Sequence, residues 1–320
     1  MAKRICIITD STADLPPEIA IKYGITVVPI YVRFGEHVYQ DGVDLPSGQF
    51  YQKLRDTGLT PSTSQPSPED FFKIFSEAAG RCDGIIAIHL SSKISGTFNS
   101  ALLAKSRLPP HFPVEIIDSR LNSAGLALAV LYAAKISGEG KNVDVIVNDI
   151  SKTIPEIKMF GMFSTVKYLA RSGRVNKAIA IAGSILSVKP LLTFHDGDVV
   201  RAGFVRTVPK GINRLLKFIE SRQPVSEMMI VPGEIPVSRP GQNNRRSVGC
   251  RPGSARRPWG SFSRRALIPL LIPLQDIFPL LSVKDRPDES IQYGSMESKI
   301  NTASGGHPVR NRRLFGMQAQ

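Results

Sequence analysis

Two hydroxyl-rich strings carry the residues best suited to chemistry. The first is Ser91-Ser92-Lys93-Ile94-Ser95-Gly96-Thr97, followed by Phe98-Asn99-Ser100-Ala101. The second is Thr63-Ser64-Gln65-Pro66-Ser67-Pro68. Each stands just ahead of a run with helical spacing, Phe98–Leu108 and Glu69–Arg81. A helix start presents unpaired backbone N–H groups and a partial positive charge. Ser and Thr there either cap the helix or help to hold an anion, and a glycine lets the backbone approach what is bound. For either string alone both readings stand. Two such loops at successive strand ends of an α/β sheet would converge on one crevice.

The elements that must position these strings are legible in order. Arg4–Thr9 is a short Ile-rich run, read as a buried strand. Asp10-Ser11-Thr12 at its carboxyl end is either a site wall or a turn with a cap. Pro16-Pro17 opens a helix to Tyr23. Ile25–Val32 reads as the next strand. Phe34-Gly35-Glu36 and Asp41-Gly42-Val43-Asp44 read as turns, and Ser47–Asp56 as a helix. Phe71, Phe72 and Phe75 recur at helical spacing, which marks a core face before a ligand wall. Ile85–Leu90 is a strand leading into the first string. Val114–Ile117 is a further strand and Leu126–Ile136 an Ala/Leu-rich helix. This alternation predicts a parallel sheet with helices on both faces.

From Asp144 the texture changes. A helix over Val145–Ile157 leads to the apolar Met159–Phe163, a helical turn at Val166–Ala170 and the loop Arg171-Ser172-Gly173-Arg174. Leu191–His195 and Val199–Phe204 form a hairpin about Asp196-Gly197. A helix over Val208–Ser221 and the strand-like Met228–Val231 complete a second, α+β domain. The predicted fold class is therefore α/β: an N-terminal parallel sheet with helices on both faces, a second α+β domain with hairpins, and an irregular C-terminal tail. The predicted domains are residues 1–150, 151–230 and the tail 231–320.

Charge is unevenly spread. The last 90 residues hold 14 Lys+Arg against 6 Asp+Glu, a net +8, which leaves +6 of the chain's +14 to the first 230. The basic balance thus describes the tail and argues poorly for nucleic-acid binding by the folded part. Cys6, Cys82 and Cys250 are scattered and suit a reducing compartment. The histidines (His37, His89, His111, His195, His307) pair with no Cys or carboxylate at ligand spacing, so no metal is expected. His89 ends the strand before the first string, where it faces a ligand or serves as a core histidine. Met1-Ala2-Lys3-Arg4 runs straight into a strand-like segment, and no apolar run reaches a membrane span, so a cytoplasmic protein is expected.

Taken together, Ile8-Thr9-Asp10-Ser11-Thr12-Ala13-Asp14-Leu15, Thr63-Ser64-Gln65-Pro66-Ser67, Ser91-Ser92-Lys93-Ile94-Ser95-Gly96-Thr97 and Ser172-Gly173-Arg174, with Lys189-Pro190 downstream, resemble the DegV family. The resemblance runs from Met1 to about Ile230 and stops there. It implies a bacterial, lipid-binding acyl carrier with no cofactor. Two hydroxyl loops would hold the carboxylate of a long-chain fatty acid, with the acyl chain in an apolar tunnel between domains. By motif, Thr63 and Ser95 donate to the carboxylate, and backbone N–H groups near Gly96 and Thr97 add to them. The carrier presents the acid to a fatty acid kinase, which brings ATP, so the chain itself is not an enzyme. Arg174 and Arg206, in Ser-Gly-Arg and Val-Arg-Thr, meet the kinase or its phosphates, or are inert surface arginines. The sequence carries no Gly-x-x-x-x-Gly-Lys-[Ser/Thr] loop and no Gly-x-Ser-x-Gly elbow.

Two other classes compete. A serine hydrolase would use Ser95 or Ser119, and needs a base and an orienting acid beside that serine. A nucleic-acid binder would use the Arg-rich tail, with a steep salt dependence.

The tail has a sharper reading. The family closes its second domain with a strand and a turn like His-Gly-Gly-Pro-Gly-Ala-Leu, and no such string stands here. Read one nucleotide later, the codons of Ala255–Phe262 permit that turn, and Trp259 with Gly260 force its last glycine. The shifted codons of Val248–Ser254 permit Leu-Gly-Ala-Val-Leu-Gly. A frameshift between Ile230 and Val248 is therefore expected. As written, the chain would lack the histidine that faces the ligand in the family and the last strand of the second domain.

Overall fold

The computed structural model describes residues 4–163, 167–174, 188–231 and 266–271. The first strand, β1 (Ile5–Asp10), runs through a short 3-10 turn at Ser11–Ala13 into α1 (Pro17–Tyr23). Then come β2 (Ile25–Val28), β3 (Tyr31–Phe34), β4 (His37–Gln40), α2 (Ser47–Thr57), β5 (Ser62–Ser64) and α3 (Pro68–Ala79). Next are β6 (Gly84–His89), α4 (Thr97–Lys105), β7 (Val114–Asp118), α5 (Ser123–Ser137) and α6 (Val143–Thr153). The chain continues with β8 (Phe160–Met162), α7 (Lys167–Ser172), β9 (Lys189–His195), β10 (Asp198–Val205), α8 (Val208–Glu220), β11 (Val225–Val231) and β12 (Ala266–Leu271).

The first sheet is parallel with order β2-β1-β6-β7. Its strands are apolar on both faces because helices cover both. Ile7, Ile86 and Ile88 pack with α5 and α6, while Ile8, Ile85 and Ala87 pack with α3 and α4. Phe71 and Phe75 are fully buried on that second face, and the Arg107 guanidinium lies over the ring of Phe72. The aromatic run of α3 is core. No helix among the described residues is long and apolar enough to cross a membrane.

One expectation fails at Pro29. The run Ile25–Val32 is two strands, because proline has no N–H to extend a ladder and the chain changes sheet there. β3 joins a small antiparallel sheet of order β4-β3-β5. Thr63 therefore lies on a short edge strand, opposite Val32, and not at a strand end of the parallel sheet.

The second sheet has order β10-β9-β8-β12-β11. β9 and β10 are the hairpin expected about Asp196-Gly197, and Gly197 takes φ +85, the left-handed conformation such a turn uses. The slot expected to be missing is filled. β12 runs parallel to β8 and β11 and pairs with both. Without it two strands would end in unpaired N–H and C=O groups, and Ala266–Leu271 is an apolar run that supplies them. Pro269, opposite Met229, brings no N–H to that interior position. The rest of the expected tail lies outside the described residues.

The two sheets share α5. Twelve of its fifteen residues are buried. It packs on β1 and β6 on one side and on β11 and β12 on the other, and Met229, Phe194 and Val231 join the same apolar cluster as Leu126 and Val130. Small residues permit this. A Cβ on Gly125 would stand 2.6 Å from Met159 Sδ.

Candidate functional site

Strand order reverses between β1 and its neighbours β2 and β6, so a crevice opens at the carboxyl ends of β1 and β6. Asp10 and His89 end those two strands, and both are fully buried. His89 Nδ1 lies 2.9 Å from Asp10 Oδ2 and donates to it, since the carboxylate only accepts. Leu90 N–H donates to the same oxygen at 3.2 Å. The other oxygen accepts from the N–H and hydroxyl of Thr12. Asp10 is thus a cap and a strand tie, and His89 is a core histidine edge-on to Phe71. His89 Nε2 is buried with no hydrogen-bond partner among the described residues.

Ser91–Gly96 leaves β6 from this buried base. The Ser92 hydroxyl and N–H bind Asp118 at 2.6 and 3.2 Å, which ties the segment to the end of β7. α4 starts at Thr97 with Gly96 as its N-cap, a residue with no side chain to serve as cap. Ser95 and Thr97 pair by their hydroxyls at 2.9 Å, and Thr97 N–H reaches Ser95 Oγ at 3.3 Å. The N–H groups of Phe98 and Asn99 have no acceptor among the described residues. The helix start is therefore left with donors facing outward, as anion binding needs.

The Thr63 string comes to this place through one side chain. The Gln65 amide lies over Gly96, with its nitrogen 2.5 Å from where a Cβ would stand. Thr63 itself is exposed. The Arg171–Arg174 segment reaches the residues beside both strings. Arg174 Nε donates to the Ile94 carbonyl at 3.4 Å, and Arg171 donates to the hydroxyl of Thr60. Thus Gln65, Ser95, Gly96 and Thr97 come together with Arg174 beside them, while Thr63 stands two residues from Gln65 on β5. Arg206 does not join them: it is exposed just beyond β10 and makes no hydrogen bond or ion pair among the described residues. Gln65 stood inside a quoted motif, but nothing in its type marked it as the contact between loops.

A second missed feature is the seam with the β9–β10 hairpin. The fully buried Ser91 hydroxyl donates to the Gly197 carbonyl at 2.7 Å. Lys93 Nζ reaches Asp196 and Asp198 at 3.1 and 3.0 Å, and Arg120 also binds Asp196. Hydrogen bonds to Asp198 and Asp196 push the Lys93 pKa up, and Lys93, with Arg120, pulls that of Asp196 down. These charges are half exposed, so they orient the hairpin more than they stabilise it.

Beside the crevice, Asp14 takes φ +51 and Ser123 φ +49, and the Ser123 hydroxyl donates to the Asp14 carboxylate. Much of Asp14 faces solvent, yet desolvation of its carboxyl raises its pKa to about 6, aided by the charges of Asp41 and Asp10 and opposed by the Ser123 bond. Asp41 is raised as well, chiefly by burial. No group of three or more metal-ligating side chains occurs among the described residues.

The hydrolase reading finds no support in this geometry. Ser119 is fully buried, with its hydroxyl between the N–H and carbonyl of Leu121. Ser95 pairs with Thr97, and the nearest strand-end histidine is spent on Asp10.

A family model described as an uncharacterised protein of the DegV family matches residues 4–233. A DegV domain-containing protein of Caldanaerobacter subterraneus subsp. tengcongensis is 37% identical over 219 residues, 68% of this chain and 78% of that protein. Among solved structures, a fatty acid-binding DegV family protein from Thermus thermophilus superposes with TM-score 0.65 at 32% identity, covering 72% of this chain and 83% of that one. A stearic acid-binding protein from Eubacterium ventriosum gives TM-score 0.62 at 28% identity, over 70% of this chain and 78% of that one.

Proposed function

The chain belongs to the DegV family, and from that premise we propose that it binds a long-chain fatty acid and presents it to a fatty acid kinase without being an enzyme itself. The observation that carries the reading is the contact of Gln65 with Gly96, which joins the two hydroxyl strings at the open start of α4. The carboxylate would accept from Thr63 and Ser95 and from N–H groups at Gly96 and Thr97. The acyl chain would lie between the domains, where the partly buried Ile94 and Phe194 adjoin the α5 core from either side. The boundary between the N-terminal domain and the second one, near residue 150, is part of this proposal.

Magnitudes divide the labour. Burying about a dozen methylenes at ~0.8 kcal/mol each is worth on the order of 10 kcal/mol. Each charge-assisted hydrogen bond adds roughly 1.5–3 kcal/mol. The tail supplies affinity, while the polar cluster fixes orientation and keeps a carboxylate from being buried unpaired. Arg174, above the Ile94 carbonyl, stands where a kinase or its phosphates would arrive. A kinase needs ATP, so the reading locates the protein in the cytoplasm.

Lipid extraction and mass spectrometry of the purified protein test the reading, with the frame-restored chain alongside. A fatty acid in both means the two strings suffice. A fatty acid in the restored form alone keeps the reading for the family and makes this chain a damaged copy. No fatty acid in either overturns it.

A further inference from the structure

A second cluster of side chains lies at the amino ends of the parallel strands. Cys6 on β1 and Cys82, in the segment entering β6, form a disulfide with Cα atoms 5.9 Å apart, the usual span for one. The two lie 76 residues apart, and nothing in the sequence announced the pairing. Cys82 is 8% exposed, but Cys6 is partly open and lines a cavity of about 340 Å³ at the amino ends of β1 and β2. That is within the size range of small-molecule sites, ~300–1,000 Å³. Arg4, Arg81, Tyr23 and Thr26 share the lining, and Arg81 donates to the Thr26 hydroxyl at 3.4 Å. Asp83, next to Cys82 in the chain, accepts from the N–H of Arg4. The cavity is thus lined by two arginines and by one cysteine of the disulfide.

We propose that this cavity is a thiol–disulfide exchange site for a low-molecular-weight thiol bearing carboxylates. The carboxylates meet Arg4 and Arg81, and this brings the thiolate to Cys6. The thiolate attacks Cys6 Sγ. The electron pair of the Cys6–Cys82 bond leaves on Cys82 Sγ, which takes up a proton. The products are a mixed disulfide on Cys6 and a free thiol on Cys82. A second small thiol attacks the small-molecule sulfur of the mixed disulfide, releases Cys6 as a thiol, and leaves as the oxidised dimer. In sum, two small thiols are oxidised to one disulfide and the protein bond is reduced to two thiols. Direction follows from access: only Cys6 lines the cavity, so the adduct forms there and Cys82 is the leaving group.

The test uses the full chain with glutathione, which is anionic, and cysteamine, which is cationic. Reactions are quenched with an alkylating agent and mapped by peptide mass spectrometry, which separates Cys250 from the pair. The expected result is a glutathione adduct on Cys6 and a several-fold faster reaction with glutathione than with cysteamine, after correction for their rates with a free disulfide. Arg4→Gln with Arg81→Gln, or 1 M salt, should bring that ratio toward one. Cys82→Ser, treated with oxidised instead of reduced glutathione, should take a mixed disulfide on Cys6 as one glutathione leaves as the thiol; if that variant does not fold, the quenched wild-type map still decides. An adduct on Cys82, a rate ratio unmoved by the arginine changes, or no Cys6–Cys82 bridge under oxidised glutathione overturns the proposal.

Discussion

The side-chain amide of Gln65 occupies the space a Cβ on Gly96 would need. This contact joins the two hydroxyl strings, and it is made by the far end of a flexible side chain.

A Gly96→Ala change should therefore spare the fold and damage binding. Gly96 has φ −80, which alanine adopts freely, so the methyl group evicts Gln65 without straining the backbone. Stability should change by less than about 1 kcal/mol. Fatty acid affinity should fall about 10- to 100-fold, the loss of one charge-assisted hydrogen bond. Gln65→Ala should weaken binding similarly. Fluorescent fatty acid titration beside thermal melts checks both, and unchanged affinity in the two variants would remove the bridge from the site.

Thr63→Val and Ser95→Ala should each cost roughly 1.5–3 kcal/mol of binding. Thr63 is exposed and Ser95 half-buried, so neither should lower the melting point by more than a few degrees. A double-mutant cycle on ligand affinity reads their coupling. Strict additivity would mean that the two hydroxyls do not meet one carboxylate.

The hairpin seam gives a contrast. Lys93→Ala removes exposed, solvent-screened ion pairs and should change stability least of the three. Ser91→Ala leaves the Gly197 carbonyl without its buried donor and should cost about 1–3 kcal/mol. Gly197→Ala should be worse, since φ +85 and Ser91 Oγ at 2.7 Å both oppose a methyl group. Urea unfolding ranks the three, and a Lys93 effect larger than the Ser91 effect would reverse this account.

Asp14 sets a pH dependence of unusual sign for a carboxylate. Its ordinary value is 3.8 and its folded value about 6, so the fold binds the proton more tightly than the unfolded chain does. Its contribution to stability is complete below about pH 4 and is lost as pH rises through 6. Exposure of the residue keeps this well below the ~3 kcal/mol that two units would give in full. Carboxyl carbon NMR should show the raised titration, and Asp14→Asn should flatten the stability profile between pH 4 and 7. A midpoint near 4 would refute it.

Sequencing the gene across the codons for Ile230 to Val248 tests the shifted frame. A single-base change there should restore a family-like ending. The restored strand should take the place of β12 between β8 and β11 and raise the melting temperature, because Pro269 contributes no N–H there. If no single-base change yields that ending, the tail is what the gene encodes.

The sequence disclosed what is written locally. The Asp196-Gly197 hairpin, the Ala/Leu helix and the strand into Ser91 all follow from turn chemistry or apolar runs of the right length. The family resemblance ending near Ile230 agrees with a family match that ends at residue 233. What stayed hidden was relational. Ile25–Val32 looked continuous because Val and Ile favour strands on either side of Pro29. The Cys6–Cys82 bridge depends on parallel neighbours 76 residues apart. Ser91 stands in the same string as Ser95, yet its hydroxyl ties to the β9–β10 hairpin, and only the position of Gly197 says so. The pairing of Ala266–Leu271 with β8 and β11 likewise depends on strands far away in the chain.

Sharing α5 between two sheets limits how the crevice can breathe. A helix buried on two sides cannot serve as a hinge pin, because swinging one sheet away would strip apolar surface from Leu126, Val130 and their neighbours at once. Guest traffic must then pass through the segments that hold the mouth by a few polar bonds, Ser91–Gly96 and Arg171–Arg174. Entry and exit become a matter of loop kinetics, and the rate should respond to the Arg174 and Lys93 contacts long before it responds to anything in the core.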